Sequence, residues 1–566
     1  MRRPWLSGQN AGNGRCRLNS LPTALLFIFL AVCTAQPESS PKNPGLQGIL
    51  SYIQSGWDSL TRSTSSCSGI SDPKLVAAPV LYLPADFPEP ADIRNLEHTC
   101  KVKVARLPHV IHQLGSTESI QPPGLLYLKN KYVVPGGRFN EMYGWDSYFI
   151  ILGLLRDGRL DLARGMVENF FFEIEHYGAV LNANRTYYLT RSQPPFLSSM
   201  VVAVDQAMKA GGQDDRQWLE TAYSYVKRDH DMWTRQPHLA GVTGLSRYYD
   251  FGDGPAEEAL LDEADTYRQV ASYFLFHPTL PPYVVDPESV SGNITAGASY
   301  TVRVCGPAPL DSCEPSRQVK LTADYYKGDR SMRESGFDIS FRFGPYGAAT
   351  HHYAPVCLNS LLFKTERDLE AIGRSLGKSS EAAEWNRMAE GRKAAVQKYL
   401  WDEQQGLFFD YNFESGQKSS YKYATTFYPL WAGLATAAQA DAVVKNLSVF
   451  EQPGGLAMSV HQSQGQWDYP FGWAPIQLLA VEGMRRYGHN SDADRVSKEF
   501  LSMVLDNFVR DKTIREKYDV VTRSSETNVK AGYAANVIGF GWTNAAFLEL
   551  LHALPANESD HLTASQ

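Results

Sequence analysis

Carboxylates, guanidiniums, amides and aromatic rings are concentrated in four short stretches of this 566-residue chain, and these are the residue types that move protons and bind polar ligands. The first stretch, PGGRFNEMYGWDSY (135–148), uses Pro135-Gly136-Gly137 as a tight loop and delivers Arg138, Glu141, Trp145 and Asp146 to the start of a helix. The second, LNANRTYYLTRSQPPF (181–196), gathers Asn182, Asn184, Arg185, Arg191 and Gln193 in a polar loop bounded by Pro-Pro. The third, RESGFDISFRF (333–343), alternates Glu334, Asp338 and Arg342 with aromatics. The fourth pairs QWDYPFGWAPIQ (466–477) with IREKYD (514–519) and is followed by GFGWTN (539–544). The chain has no CxxC and no HExxH, so no metal site is expected.

Each stretch also has a plainer reading. Asp146 would be an N-terminal helix cap and Trp145 core packing. Residues 181–196 would be a solvated loop, with Asn184-Arg185-Thr186 a glycosylation sequon. Residues 333–343 would be a salt-bridged strand or loop. None of these explains why an Arg sits in a Gly-Gly turn beside a carboxylate.

The elements around these stretches are helical. Apolar residues recur every three or four positions in 146–155, 159–178, 215–233, 358–377, 379–401, 475–488 and 492–509, and Gly often closes the segment. The helices come in pairs joined by short turns such as RDGR (156–159), a pattern of stacked helical hairpins. Residues 280–325 break the pattern with β-branched runs, Pro and Gly, and predict an irregular or β-rich insertion. The segment 36–75 is rich in Ser, Pro and Gly and reads as a flexible leader, leaving 76–555 as the main domain and 556–566 as a polar tail.

Composition excludes some classes. A net charge of −7 and a pI near 6.0 argue against a dedicated nucleic-acid binder. Aromatic residues make up 12% of the chain, which permits a carbohydrate ligand without requiring one, since such rings also fill cores. Residues 1–35 read as a signal peptide: four arginines, an apolar run at 21–32, then Cys33-Thr34-Ala35 with small residues before a cleavage site. The run is too short for membrane insertion, and Val32 is bulky for a lipidated Cys33. The expected location is therefore periplasmic or secreted, where Cys67 can pair with Cys100 and Cys305 with Cys313; spacing proves neither bridge.

Taken together, the motifs resemble the trehalase family of inverting glycoside hydrolases. The family's first signature, PGGRF-x-E-x-Y-x-WD-x-Y, is matched by 135–148 and its second, QWD-x-P-x-GW-x-P, by 466–475. RSQPP (191–195), ESGFD (334–338), EKYD (516–519) and GFGW (539–542) fall in family order between and after them. The resemblance implies an all-α (α/α)6 toroid that hydrolyses α,α-trehalose to two glucose molecules with inversion. It implies Asp338 as general acid and Glu516 as general base, separated by roughly 6.5–9.5 Å so that a water fits between them. An acid of this kind holds its proton through burial or a nearby negative charge, for which Phe337, Phe341 and Glu334 are the expected sources. Substrate contacts carry over to Arg138, Trp145, Asp146, Asn182, Arg191, Ser192, Gln193, Glu258 and Gly336, a donor-rich set suited to a ligand covered in hydroxyls. No cofactor or metal is implied. The partner is a small disaccharide, with no nucleic acid, no membrane insertion and a monomeric enzyme.

Two departures from the family pattern stand out. The Arg of the family's Arg-Pro-Glu triplet is replaced by Ala256, although Glu258 is kept. The Gly-rich lid ending in Glu-Tyr is replaced by VVTRSSETNVKAGYAANVI (520–538), with no Glu at the aligned place. These leave open the same inverting chemistry on another α-glucoside. A catalytically silent sugar-binding protein would have lost Asp338 or Glu516, and both are present. The 280–325 insertion is expected to fold over the cleft mouth, with Tyr300 or Arg303 reaching the sugar.

Overall fold

The computed structural model describes residues 44–70, 79–117, 119–262, 265–287, 298–303, 316–463, 465–533, 535–559 and 562. The expected signal peptide and the Cys305–Cys313 pairing lie outside them. The main helices are α1 (Pro44–Leu60), α2 (Gly144–Arg156), α3 (Leu160–His176), α4 (Leu197–Ala210), α5 (Arg216–Trp233) and α6 (Ala323–Glu334). They continue as α7 (Val356–Ser375), α8 (Ser379–Tyr399), α9 (Tyr428–Ala432), α10 (Ala437–Lys445), α11 (Ala474–Arg486), α12 (Asn490–Asp511) and α13 (Gly541–Ala553).

Some of these helices are buried on nearly every face, as the first eight residues of α2, α11 and α13 are, and such helices belong at the centre of a fold. They close a ring: α2 packs on α4, α4 on α7, α7 on α9, α9 on α11, α11 on α13, and α13 returns to α2. Amphipathic partners cover the ring from outside, with α3 on α2 and α4, α5 on α4 and α7, α8 on α7, and α12 on α11 and α13. This is the (α/α)6 toroid. Local signals start the outer helices: Asp215 caps α5 through Trp218 N at 3.0 Å, and a Thr436/Gln439 capping box opens α10.

The flexible leader is corrected by α1, which packs on α12 and α13 as a further outer helix. Its apolar residues, Ile49, Ile53, Trp57 and Leu60, fall on one face and are buried. Ser, Pro and Gly on both sides hid a helical period that only four residues carry. Trp57 is fully buried and its Nε1 donates to Asp157 Oδ2 at 2.7 Å. Trp57→Ala is expected to cost about 3–5 kcal/mol in a denaturant melt; a loss below about 1 kcal/mol would return the segment to a leader. The tail is also partly anchored, by a Lys498–Glu558 ion pair at 2.9 Å and by buried Leu562.

Small sheets brace the ring. β1 (Val80–Leu83) runs parallel to both β2 (Lys103–Arg106) and β3 (Leu125–Leu126), and a Cys67–Cys100 disulfide closes the loop beside them. The insertion is β-rich, as expected. Its strands β4 (Val284–Val285), β5 (Tyr300–Arg303) and β6 (Ser316–Leu321) pair antiparallel in the order β4-β6-β5. Thr322 then caps α6 through Tyr325 N at 3.2 Å. Among the described residues no helix is long and apolar enough to cross a membrane.

Candidate active site

The polar stretches occupy the loops that enter α2, α4, α11 and α13, together with the loop that leaves α6. Ring closure therefore brings them together. They surround a cleft of about 820 Å³ lined by Arg138, Trp145, Asp146, Asn182, Arg191, Gln193, Glu258, Gly336, Asp338 and Glu516. Of the sequence-derived site residues only Ser192 is not in the lining: it is fully buried behind the wall, where its hydroxyl donates to Val180 O at 2.6 Å.

Glu516 is held from several sides. Strands β7 (Phe471–Trp473) and β8 (Lys517–Asp519) pair with Trp473 opposite Lys517, which joins two of the motif stretches. Glu516 N donates to Val537 O at 3.0 Å, and its carbonyl accepts Trp542 Nε1 at 3.2 Å. On the side chain, Oε2 accepts from the buried Lys517 ammonium at 2.9 Å and Oε1 accepts from the Tyr533 hydroxyl. Both oxygens act as acceptors, which is the arrangement of a base. Tyr533 comes from the altered 520–538 loop, and Arg138 lies over its ring at 5.5 Å. Gly532 beside it has φ +118°, and a Cβ there would lie 2.7 Å from Gln466 Cδ. Gln466 Nε2 in turn donates to Asp338 O at 2.6 Å, so the glycine lets the loop close against the segment that carries the second carboxyl.

Asp146 faces the cleft from the first turn of α2, whose N-cap is Tyr143, so it is not the helix cap of the plainer reading. Burial, with the charges of Glu516 and Asp338 added, pushes its carboxyl well above the usual range. With Glu258 on the far side, four carboxyls thus share one cleft. The expected like charge on Asp338 from Glu334 is corrected: Glu334 is fully buried, accepting Tyr249 N at 2.6 Å and Ser192 N at 3.3 Å outside the cleft lining. Phe341 turns away to Tyr346, with ring centroids 4.8 Å apart. Arg342 forms a buried structural pair with Asp410 at 2.7 Å.

An aromatic wall backs the carboxyls. Trp145 sits 5.5 Å from Phe337, 5.8 Å from Trp467 and 5.7 Å from Trp542, and Trp467 stacks on Trp473 at 3.7 Å. Gly336 has φ +74°, and a Cβ on it would lie 3.0 Å from Trp145 Cε2. Gly336→Ala is therefore expected to lower kcat/KM at least about tenfold by displacing Trp145 and Asp338. Steady-state kinetics below the variant's melting transition check this, and an unchanged kcat/KM would remove Gly336 from the site.

Guanidiniums line the opposite side. Arg191 is buried, pairs with Glu258, lies 3.5 Å from Asp250 and stacks on Tyr188 at 4.9 Å. Burial works to raise the Glu258 carboxyl, but Arg191, Arg333 and Arg330 outweigh it and hold the carboxyl below its usual range. Arg333 was missed in the sequence. It ends α6, lines the cleft, reaches Glu258 at 4.0 Å and is steadied by Asp329 at 3.3 Å. Its one signal was an i, i+4 Asp-Arg pair running into ESGFD. Ala256, where the family pattern has an arginine, is fully buried. Tyr533 had no signal beyond the Gly-Tyr pair in a loop that matches the family poorly.

Among the described residues of the insertion, the expected contacts to the sugar are not made. Tyr300 packs on Tyr326, hydroxyl to hydroxyl at 3.1 Å, and neither Tyr300 nor Arg303 is in the lining. The Tyr-rich face of Thr266–Phe276 and α6 captures β5 instead. Asn184 is fully buried, its Oδ1 accepting Met142 N at 2.8 Å, so its sequon is closed to a glycan.

Comparison with known proteins places these features in a wider set. The family model described as Trehalase matches residues 86–298 and 312–555. The cytosolic neutral trehalase of Saccharomyces cerevisiae (strain ATCC 204508 / S288c) is 37% identical over 526 residues, 83% of this chain and 66% of the relative. That of Neurospora crassa is 35% identical over 88% of this chain and 72% of its own length. The solved structure of neutral trehalase Nth1 from Saccharomyces cerevisiae superposes with a TM-score of 0.73 at 33% identity, covering 92% of this chain and 96% of that one. The chain thus spans about two thirds of the length of these curated relatives. Their names correct the expectation of a signal peptide and of a periplasmic or secreted protein, since several relatives matching most of the chain are named cytosolic. A basic flank and a short apolar run are a compositional pattern, and they do not fix a destination by themselves.

Proposed function

The chain belongs to the trehalase family, which makes it a glycoside hydrolase, and on that premise we propose that it hydrolyses α,α-trehalose to two glucose molecules with inversion, Asp338 acting as general acid and Glu516 as general base. The observation that carries the assignment is that both carboxyls line one cleft, Glu516 with both oxygens accepting hydrogen bonds and Asp338 beside an aromatic wall. In the reaction the Asp338 carboxylic acid gives its proton to the glycosidic oxygen as the C–O bond breaks. Glu516 takes a proton from a water that attacks the anomeric carbon from the opposite face. At the end Asp338 is ionised and Glu516 protonated, and exchange with solvent resets the pair.

Around this pair, Arg138, Arg191, Asn182 and Gln193 supply donors to sugar hydroxyls, Asp146 and Glu258 accept from them, and Trp145 packs against a ring face. Gly336 lets the backbone pass close beneath the sugar, and Ser192 holds the second stretch in place from behind. Glucose release from a panel of trehalose, maltose, kojibiose and nigerose tests the substrate. Trehalose should exceed the others in kcat/KM by at least about tenfold. Preference for another disaccharide would favour the second reading, which rests on Ala256 and on the altered 520–538 loop.

A further inference from the structure

Away from the cleft, at the opposite end of α6, a carboxylate and two imidazoles converge. Asp324 lies in the first turn of α6, and His351 and His352 end the single 3-10 turn Thr350–His352. Consecutive side chains on such a turn normally diverge. Here the backbone turns extended at Tyr353 (φ −113°, ψ 143°), and the two rings end up 3.9 Å apart, centroid to centroid. Asp324 Oδ1 lies 3.0 Å from His351 Nε2 and 3.8 Å from His352 Nε2, and one donor atom from each residue falls within 4.8 Å of the others.

We propose that Asp324, His351 and His352 form a site for a divalent transition-metal ion of the zinc type. Ligands about 2.0–2.1 Å from a tetrahedral Zn²⁺ stand about 3.3 Å from one another. The 3.0 and 3.8 Å separations bracket that edge. Two nitrogens and one oxygen suit Zn²⁺ and its neighbours in the first transition row; Ca²⁺ and Mg²⁺ call for oxygen alone. A further observation points to a missing partner: Asp324 Oδ2 and Nδ1 of the buried His351 are both enclosed without a hydrogen bond. Phe413 N donates to His352 O at 3.1 Å and so steadies the turn from the other side, leaving a water to fill the fourth position. Arg247 approaches from behind, its Nη1 donating to His351 O at 2.8 Å, so this cation meets the carbonyl and not the imidazoles.

An ion here would clamp the 350–352 turn to the start of α6, whose far end carries Arg333 and leads into Gly336 and Asp338. Nine residue steps of α6 separate Asp324 from Arg333, which puts the ion about 13 Å along the helix from the cleft. Its role is therefore structural, outside the hydrolytic chemistry.

The test is titration of Zn²⁺ alone into the chelator-stripped full chain, followed by calorimetry and by thermal melting. The expected result is one saturable Zn²⁺ per chain with a raised melting temperature, weakened at least about tenfold in both His352→Gln and Asp324→Asn. His112→Gln, at an exposed histidine, should bind like the parent. His352 keeps 28% of its side chain exposed, so its replacement should leave the metal-free melt unchanged and separate binding from folding. Should either variant fail to fold, Co²⁺ bound to the parent chain decides: ligand-field bands of a four-coordinate ion, displaced by Zn²⁺, support the site. No saturable uptake, equal affinity in the folded variants, or only a hexa-aqua cobalt spectrum would overturn it.

Discussion

Asp338→Asn and Glu516→Gln are each expected to lower kcat on trehalose by roughly 10²–10⁴-fold, the usual worth of one positioned proton-transfer group. Each substitution keeps the shape of the side chain and removes its ability to exchange a proton. The two variants should differ in stability. Asp338 is only partly buried in the open cleft, so Asn there should melt close to the parent. Glu516 is the counter-charge of Lys517, whose ammonium is fully buried, so Gln there leaves a cation without its partner. Removing one side of a buried pair costs about 3–5 kcal/mol, and this variant should melt lower. Assays below both transitions keep the two effects apart. Near-parental turnover by either folded variant would take that residue out of its role.

Arg191→Ala is expected to lower kcat/KM by at least about a hundredfold, because a lost charged hydrogen bond costs roughly 1.5–3 kcal/mol and its positioning of Glu258 is lost as well. Arg191 also faces Asp250 at 3.5 Å, and both carboxylates are then left short of a cation. Arg191→Lys should recover most of the stability but little of the activity, since an ammonium cannot present the planar fork that a guanidinium does. A fall in kcat/KM below about fivefold in the alanine variant would mean that Arg191 serves the wall and not the sugar.

The sequence carried much of the site because the family signatures name residues in loops that the helical hairpins must bring to one rim. Ten of the eleven residues read as catalytic or substrate-binding stand in four of those stretches, and ring closure could place them almost nowhere else. What the sequence did not carry has physical reasons. α1 escaped because its period rests on four residues between turn-forming flanks. Glu334 looked like a neighbour of Asp338 from its spacing, yet the helix end at Glu334 and the turn at Gly336 point the two carboxyls in different directions. Arg333 and Tyr533 line the cleft from a helix end and from a loop that matches the family poorly, and linear order alone did not mark either. The described strands of the insertion are β-rich as read, but Tyr300 and Arg303 do not line the cleft, because nothing in a strand pattern says which tyrosine face it will meet.

The most direct test of the central claim follows the anomers of glucose as they are released, by proton NMR in the first minutes of trehalose hydrolysis, before mutarotation scrambles them. Inversion at one anomeric carbon, with the leaving glucose keeping its own configuration, predicts α- and β-glucose in equal amounts at the outset. Initial release of α-glucose alone would mean retention and would contradict the acid–base assignment of Asp338 and Glu516.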